Sequence, residues 1–281
     1  MNDGLLSVFS LNLNIDRPHP SADAIVRDEV ERQQPDLISF QEALWRGDED
    51  DQARRILDGL SYEVVHQFEL QAPDRPYGTA IASRFPVSRS DLVKLPSTSR
   101  GAEFPRAIQA ALIDVPSPVG PVLLVNPKPH YEPHMELERE MQAVAVVDYI
   151  DRNADPNGFP PIIAGDLDAT PDASSIRFLT GKQSLHGRST CFIDTWPASG
   201  NSGPGYTWSC DNDYTREIAV HNFGHDEVRR RIDYVLVGSP LLYGQAARPV
   251  SCEVVLDEPR DRVWASGHFG LMVRFSVNAD I

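Results

Sequence analysis

Apolar residues in this chain fall into short runs and alternations separated by Pro, Ser and Gly turns, a pattern of many strands and few helices. Leu5 to Leu13 predicts a first strand. Ala24, Ile25 and Val30 recur at helical spacing and predict a helix over 22–34, with Ser21 as its cap and Pro35-Asp36 as its end. A second strand over 37–40 and a short helix over 50–60 follow. Further strands are predicted over 62–68, 78–83, 91–95, 107–115 and 122–126. The clearest helix spans 135–151. Met135, Leu137, Met141, Val144 and Val147 supply its apolar positions, and Glu136, Glu138, Arg139, Glu140 and Gln142 its wet side. A buried strand over 161–164, a short helix over 173–179 and late strands over 232–237, 250–256 and 270–277 complete the pattern. Strands in a run, interleaved with a few helices, predict two packed sheets with helices outside.

The chain has 281 residues, of which 41% are hydrophobic, enough for a sizeable core. It carries no Ser/Gly-rich linker, low-complexity run or internal repeat, so one domain over 1–281 is the simpler reading. Three cysteines, Cys191, Cys210 and Cys252, are too few and too irregularly spaced for a disulfide framework, and no Cys-x-x-Cys pair suggests zinc. The first residues show neither a basic stretch nor a long apolar one, and no apolar run reaches membrane-spanning length. The expectation is a reduced, cytoplasmic protein with no membrane partner. The net charge of −15 argues against tight, sequence-blind binding to long nucleic acid and favours a small-molecule substrate. The oligomeric state is left open.

The candidate chemistry lies at the ends of predicted strands, where loops place functional groups: Asn12, Glu42, Asp166, Asp168, Asp233 and His268. Carboxylate and amide oxygens suit a hard cation such as Mg²⁺, which steadies a phosphoryl group and its leaving oxygen. A His near an Asp supplies proton transfer or a hydrogen bond to phosphate.

Ser10-Leu11-Asn12, Gln41-Glu42, Gly165-Asp166-Leu167-Asp168, Arg231-Ile232-Asp233-Tyr234 and Ser266-Gly267-His268 occur in an order that resembles the endonuclease/exonuclease/phosphatase superfamily. Gly78 to Pro86 and the Arg139-x-x-Gln142 pair on the long helix resemble further segments of it. Each match alone is weak, but the ordered set spans almost the whole chain. The resemblance implies an α/β (α+β) four-layer sandwich, with two mainly antiparallel sheets face to face and helices on both outer faces. It implies a metal-dependent phosphodiesterase or phosphatase using Mg²⁺ or Mn²⁺. Asn12, Glu42 and Asp168 would sit at the metal, with Asp168 at metal or phosphate. Asp166 would orient the attacking water, and Asp233 would pair with a His268 that contacts a phosphate oxygen.

Three positions depart from the family pattern. Asp168 stands where Asn is usual, and Gly267 where an Asp is often counted at the metal. The central strand ends Asn126-Pro127-Lys128-Pro129-His130, with Pro127 or Lys128 in the place of a His. Lys128 could stabilise an anion there and His130 could swing in. A second reading therefore keeps the fold but uses Asp166, Asp233 and His268 for proton transfer on a non-phosphorylated small molecule, as a cyclase, lyase or hydrolase of biosynthesis. A third is a silent binding protein.

Other polar residues carry two readings each. His221 and His225 could ligate a metal from a helix, but Asn222-Phe223-Gly224 between them reads as a loop. Arg229, Arg230 and Arg231 could meet an anionic substrate or simply be a solvated strand entry. Arg84 and Arg106 read as structural ion-pair partners. Trp196 reads as core, and Tyr206, Thr207 and Trp208 as either a stacking loop or a cover for the core.

Overall fold

The computed structural model describes residues 5–13, 20–47, 50–67, 77–101, 106–156 and 158–277. The chain runs through β1 (Leu5–Asn12), α1 (Pro20–Gln33), β2 (Leu37–Leu44), α2 (Gln52–Leu57), β3 (Glu63–Gln67) and β4 (Tyr77–Ser83). It continues through β5 (Val87–Lys94), β6 (Ala107–Ile113), β7 (Val122–Lys128), α3 (Glu136–Asn153), β8 (Ile162–Asp166) and α4 (Ser174–Leu179). The last third holds β9 (Phe192–Asp194), α5 (Thr195–Ala198), β10 (Trp208–Ser209), α6 (Asp213–Phe223), β11 (Arg229–Arg230), β12 (Asp233–Gly238), α7 (Pro240–Tyr243), β13 (Arg248–Val255) and β14 (Gly270–Ser276).

Two six-stranded sheets result, in the orders β13-β14-β1-β2-β4-β3 and β5-β6-β7-β8-β12-β9. Pairing is antiparallel except between β1 and β2 and between β7 and β8. The expected sandwich of two mainly antiparallel sheets is the fold observed.

Alternation along the strands builds the layers. Leu6, Val8, Leu37, Leu271, Val273 and Phe275 of the first sheet face Leu124, Ile162, Ala164, Val235 and Val237 of the second in one buried cluster. The intervening residues point outward. Phe9, Leu11, Ile38, Phe40 and Met272 pack with Ile25, Val26 and Val30 of α1. Leu123, Val125, Ile163 and Leu236 pack with Val146, Val147 and Ile150 of α3 and with Ile176 of α4. Each central strand is buried on both faces, so its apolar run is nearly continuous.

Local details differ from expectation: on α3, Glu138, Arg139 and Gln142, expected on the wet side, are buried, and Leu137 is exposed. α1 starts at Pro20, so Ser21 lies inside the helix rather than capping it. Proline fits the first turn because its missing N–H leaves no bond unmade there. A helix also forms over Asp213–Phe223 and takes in Asn222 and Phe223, for which the sequence leaves helix and loop both open. Asn212 caps it by accepting from the Tyr214 amide, and Gly224 closes it in the left-handed region at φ 78. Among the described residues, no helix is long and apolar enough to cross a membrane.

Phe275 is fully buried between the sheets, its ring edge-on to Phe159 at 6.2 Å. The substitution Phe275→Ala should lower unfolding free energy by about 3–5 kcal/mol. Urea denaturation of the two proteins measures it; a loss under about 1 kcal/mol would mean that the inter-sheet layer is not the stabilising core.

Candidate active site

The same alternation that builds the inter-sheet core turns polar at one edge of it. On the inner faces, Leu6 and Val8 are followed by Ser10 and Asn12, Leu37 by Ser39 and Gln41, and Leu124 by Asn126 and Lys128. Ile162 and Ala164 lead to Asp166, and Val237 and Val235 lead back to Asp233. All of these polar residues are buried. They bridge the sheets by hydrogen bonds: Ser39 Oγ donates to the Ala164 carbonyl at 2.7 Å and Gln41 Nε2 to Asn126 Oδ1 at 3.0 Å. Asn126 Nδ2 donates back to the Phe40 carbonyl at 2.9 Å. Such bonds offset the desolvation of polar groups in a dry interior.

Glu42 reaches the same edge by a different device. It follows Gln41 and would point outward in a regular strand. The β2–β4 register shifts between Phe40 and Ala43, and Glu42 adopts a φ of 52, which turns its side chain to the cleft. Asp168, with φ 53, lies two residues beyond the end of β8, its amide donating to Asp166 Oδ1 at 3.0 Å. Positive φ is uncommon for residues other than Gly, and two of the eight occurrences among the described residues, Glu42 and Asp168, lie at the site.

These residues converge on the Lys128 ammonium. Its Nζ lies 2.5 Å from Asp166 Oδ2, 2.6 Å from Asp168 Oδ2 and 3.4 Å from Glu42 Oε1. Asn12 Nδ2 donates to Glu42 Oε1 at 3.0 Å and to Asp166 Oδ2 at 2.8 Å. Two like charges about 4 Å apart repel by about 4 kcal/mol at an effective dielectric near 20, so three crowded carboxylates need such a cation. Burial works against the charge on Lys128, but Asp166, Asp168 and Glu42 overcome it and hold the ammonium well above its usual range. Burial also raises Asp166, yet Lys128, His268 and Asn12 bring it below the ordinary carboxylate range. Burial and the neighbouring Asp166 charge push Asp168 up to about 6.

His268 completes the group. Its Nδ1 lies 3.0 Å from Asp233 Oδ2, and its Nε2 lies 4.0 Å from Asp166 Oδ2. The Ser266 hydroxyl accepts from the His268 amide at 3.1 Å and donates to the Asn12 carbonyl, tying this loop to the end of β1. Burial would lower the imidazole, but Asp233 and Asp166 raise it to about 9.

Glu42, Asp166, Asp168 and His268 line the floor of a cleft of about 1180 Å³, with Lys128 buried behind them. Arg106, Arg230, Trp208 and His221 line its walls. Arg106 is only 7% exposed, and its Nε and Nη2 meet no hydrogen-bond partner. The expected ion pair is not made at contact distance among the described residues: Glu132 feels the Arg106 charge without bonding to it, and the guanidinium packs over the Tyr131 ring. Arg229 and Arg231 do pair, with Asp211 and Asp194, which leaves Arg230 as the member of that run that faces the cleft. Asp233 is therefore not the anchor of Arg231. Trp208 borders the cleft, whereas Trp196 packs against the inter-sheet core as expected. His221 stands on α6 at the cleft, while His225 lies beyond the helix end.

His130 does not join the group. It is fully buried, with Nε2 3.0 Å from Ser97 Oγ, and its backbone is fixed from α3. Gln142 accepts from the His130 amide, and Arg139 donates to the carbonyls of His130 and Glu132. The Arg139-x-x-Gln142 pair thus clamps the loop that follows Lys128.

Asp166, Asp233 and His268 bring ligand atoms within 4.8 Å of one another, a grouping of the kind that can hold a metal ion. In the arrangement seen, however, the donors are committed. Lys128 and Asn12 occupy the carboxylate oxygens, Asn12 directs its NH₂ rather than its oxygen inward, and His268 is held as a cation beside Asp233. Gly267 offers only backbone, and its carbonyl accepts from the Thr215 hydroxyl. A hard divalent ion completes its shell with water but needs one or two free carboxylates, and here an ion would have to displace Lys128 and Asn12 to reach them.

Comparisons with known proteins agree with this fold. The profile of the "Endonuclease/Exonuclease/phosphatase family" matches residues 9–269. Zebrafish (D. rerio) TDP2, complexed with a single-strand DNA product, superposes with a TM-score of 0.74 at 19% identity, over 98% of this chain and 100% of that one. An endonuclease/exonuclease/phosphatase from Beutenbergia cavernae gives 0.67 at 21% identity, over 98% and 72%. The human Nocturnin catalytic domain with bound sulfate gives 0.70 at 16%, over 97% and 94%. No protein of curated function matches in sequence.

The raised imidazole makes stability depend on pH. A group whose folded pKa exceeds its unfolded one stabilises fully below the unfolded value, about 6.5 for His, and loses that contribution as pH rises through the folded value, here about 9. Asp168 acts in a separate window below pH 6. The melting temperature should therefore fall between pH 6.5 and 9 in the wild type and fall less steeply in His268→Gln. Equal slopes in a pH series of thermal melts would show that the Asp233–His268 pair is not coupled to folding.

Proposed function

Because the chain belongs to the endonuclease/exonuclease/phosphatase family, we propose that it hydrolyses a phosphate ester of a small anionic substrate. The observation that carries this reading is the group of cations, Arg106, Arg230 and His268, that faces the cleft among its carboxylates. Arg106 and Arg230 face inward, His268 is held charged on the floor, and Arg106 Nε and Nη2 meet no acceptor among the described residues. Buried guanidinium N–H groups without acceptors are costly unless a ligand supplies them. A phosphoryl group does so with bidentate geometry.

The roles follow from the distances. Asp166 stays ionised and accepts a hydrogen bond from the attacking water, orienting it toward phosphorus. Asp168, pushed up to about 6, is the carboxylate better matched to receive a proton near neutral pH. His268, fixed by Asp233 at Nδ1, directs Nε2–H at the phosphoryl oxygens, where negative charge builds in the transition state. The Lys128 ammonium holds Asp166 and Asp168 in place. Magnesium or manganese, implied by the resemblance, would neutralise phosphoryl charge if bound. The small-substrate reading rests on the net charge of −15, which opposes a long polyanion.

The test is release of nitrophenolate from bis-p-nitrophenyl phosphate and from p-nitrophenyl phosphate, with and without divalent metal. Asp166→Asn and His268→Ala should each lower kcat by about 10²–10⁴-fold. Arg106→Met should raise KM by about 10–100-fold with a smaller effect on kcat, since it removes a binding contact rather than one made only in the transition state. Absence of turnover on a broad panel of phosphate mono- and diesters under every condition would sink the proposal and favour chemistry on a non-phosphorylated molecule.

A further inference from the structure

We infer that Lys128 is a built-in replacement for a divalent cation in this site. The ammonium lies within 3.4 Å of three carboxylates contributed by three separate segments, β2, the end of β8 and the loop beyond it. Its side chain is about 90% withdrawn from solvent, so it is a fixed member of the site and not a surface lysine folded inward. Pro127 and Pro129 flank it, and the loop after it is clamped by Arg139 and Gln142. A tethered cation in this position has a high effective concentration and competes directly with any ion from solution.

The surrounding residues are matched to an ammonium. Asp168 supplies a second short contact that an uncharged amide could not supply with the same strength. Lys128 donates to two oxygens at 2.5 and 2.6 Å, the strong, short geometry of charge-assisted bonds. Gly267 offers no side-chain ligand, and its carbonyl accepts from the Thr215 hydroxyl. The residues at 128, 168 and 267 are thus mutually consistent: one cation, a carboxylate that holds it, and a loop that adds no further carboxylate. The inference deepens the phosphoester reading of this site, which it takes as the function, but its test uses no substrate.

The experiment is Mn²⁺ binding by calorimetry and by the electron paramagnetic resonance signal of free Mn²⁺, on wild type and Lys128→Met. The wild type should show no saturable site below about 1 mM. Lys128→Met should bind one Mn²⁺ at least 10-fold more tightly, with a Mn²⁺-dependent rise in melting temperature absent from the wild type. Binding in the variant should be lost again on Glu42→Gln. If Lys128→Met does not fold, the pair Lys128→Met with Asp168→Asn removes one charge of each sign and is measured in the same way. Tight stoichiometric Mn²⁺ binding by the wild type overturns the inference. So does the absence of binding by both folded proteins, which would mean that no cation site underlies the lysine. A failed phosphatase screen leaves both arms readable.

Discussion

Side chains alternate across a strand with a period of two, and in this protein one inner face must serve two purposes along its length. At one end it is the dry layer of Leu, Val, Ile and Phe between the sheets; at the other it is a bank of carboxylates, amides and one ammonium. The two ends share a register. A slip of one residue in β8 would exchange Ala164 for Ile163 in the core and Asp166 for Gly165 at the cleft. Packing of the apolar end therefore fixes where the charged end stands. The site is rigid because the core is, and its groups sit on strands more than on loops.

The charged end also obeys a constraint of its own. Buried charges are tolerated only when each has a counter-charge or hydrogen-bond donors. Asp166 and Asp168 share Lys128, Asp233 has His268, and Glu42 leans on Asn12 and Lys128. At the cleft wall, Arg106 Nε and Nη2 meet no acceptor among the described residues, which marks where something from outside would fit. The molecule thereby presents cations to the cleft while its overall charge is strongly negative.

Much of this was legible in the sequence because strand ends with polar residues after apolar alternation are a local pattern. Asn12, Asp166, Asp168, Asp233 and His268 all lie at or just beyond strand ends, and the structure brings them together with Glu42. The partners were not legible. Lys128 was placed at the end of its strand, but that three carboxylates from distant segments would close on it depends on packing of the two sheets. Arg106 looked like an ion-pair member because most buried arginines are; that no carboxylate among the described residues meets it at contact distance is a fact of three-dimensional placement. At α6 the sequence leaves His221 to His225 open between helix and loop; Asn212 before it and Gly224 after it are a start and a stop for a helix that ends short of His225. His130 seemed free to swing toward the site, but two side chains of α3 hold its backbone from behind.

The extra residue in β2 at Glu42 has a consequence for how this chain can change over time. Upstream of it the strand pairs Phe40 with Ala80; downstream it pairs Ala43 with Gly78. Deleting one residue here would not trim a loop. It would straighten the strand, carry a carboxylate toward the packed layer now occupied by the fully buried Ala43, and leave the Lys128 cluster one acid short. Insertions would displace the same two layers in the opposite sense. Length variation among descendants of this sequence should therefore collect in the turns and be excluded from this stretch, even though a bulged segment near a strand end looks, residue by residue, like the easiest place to gain or lose one.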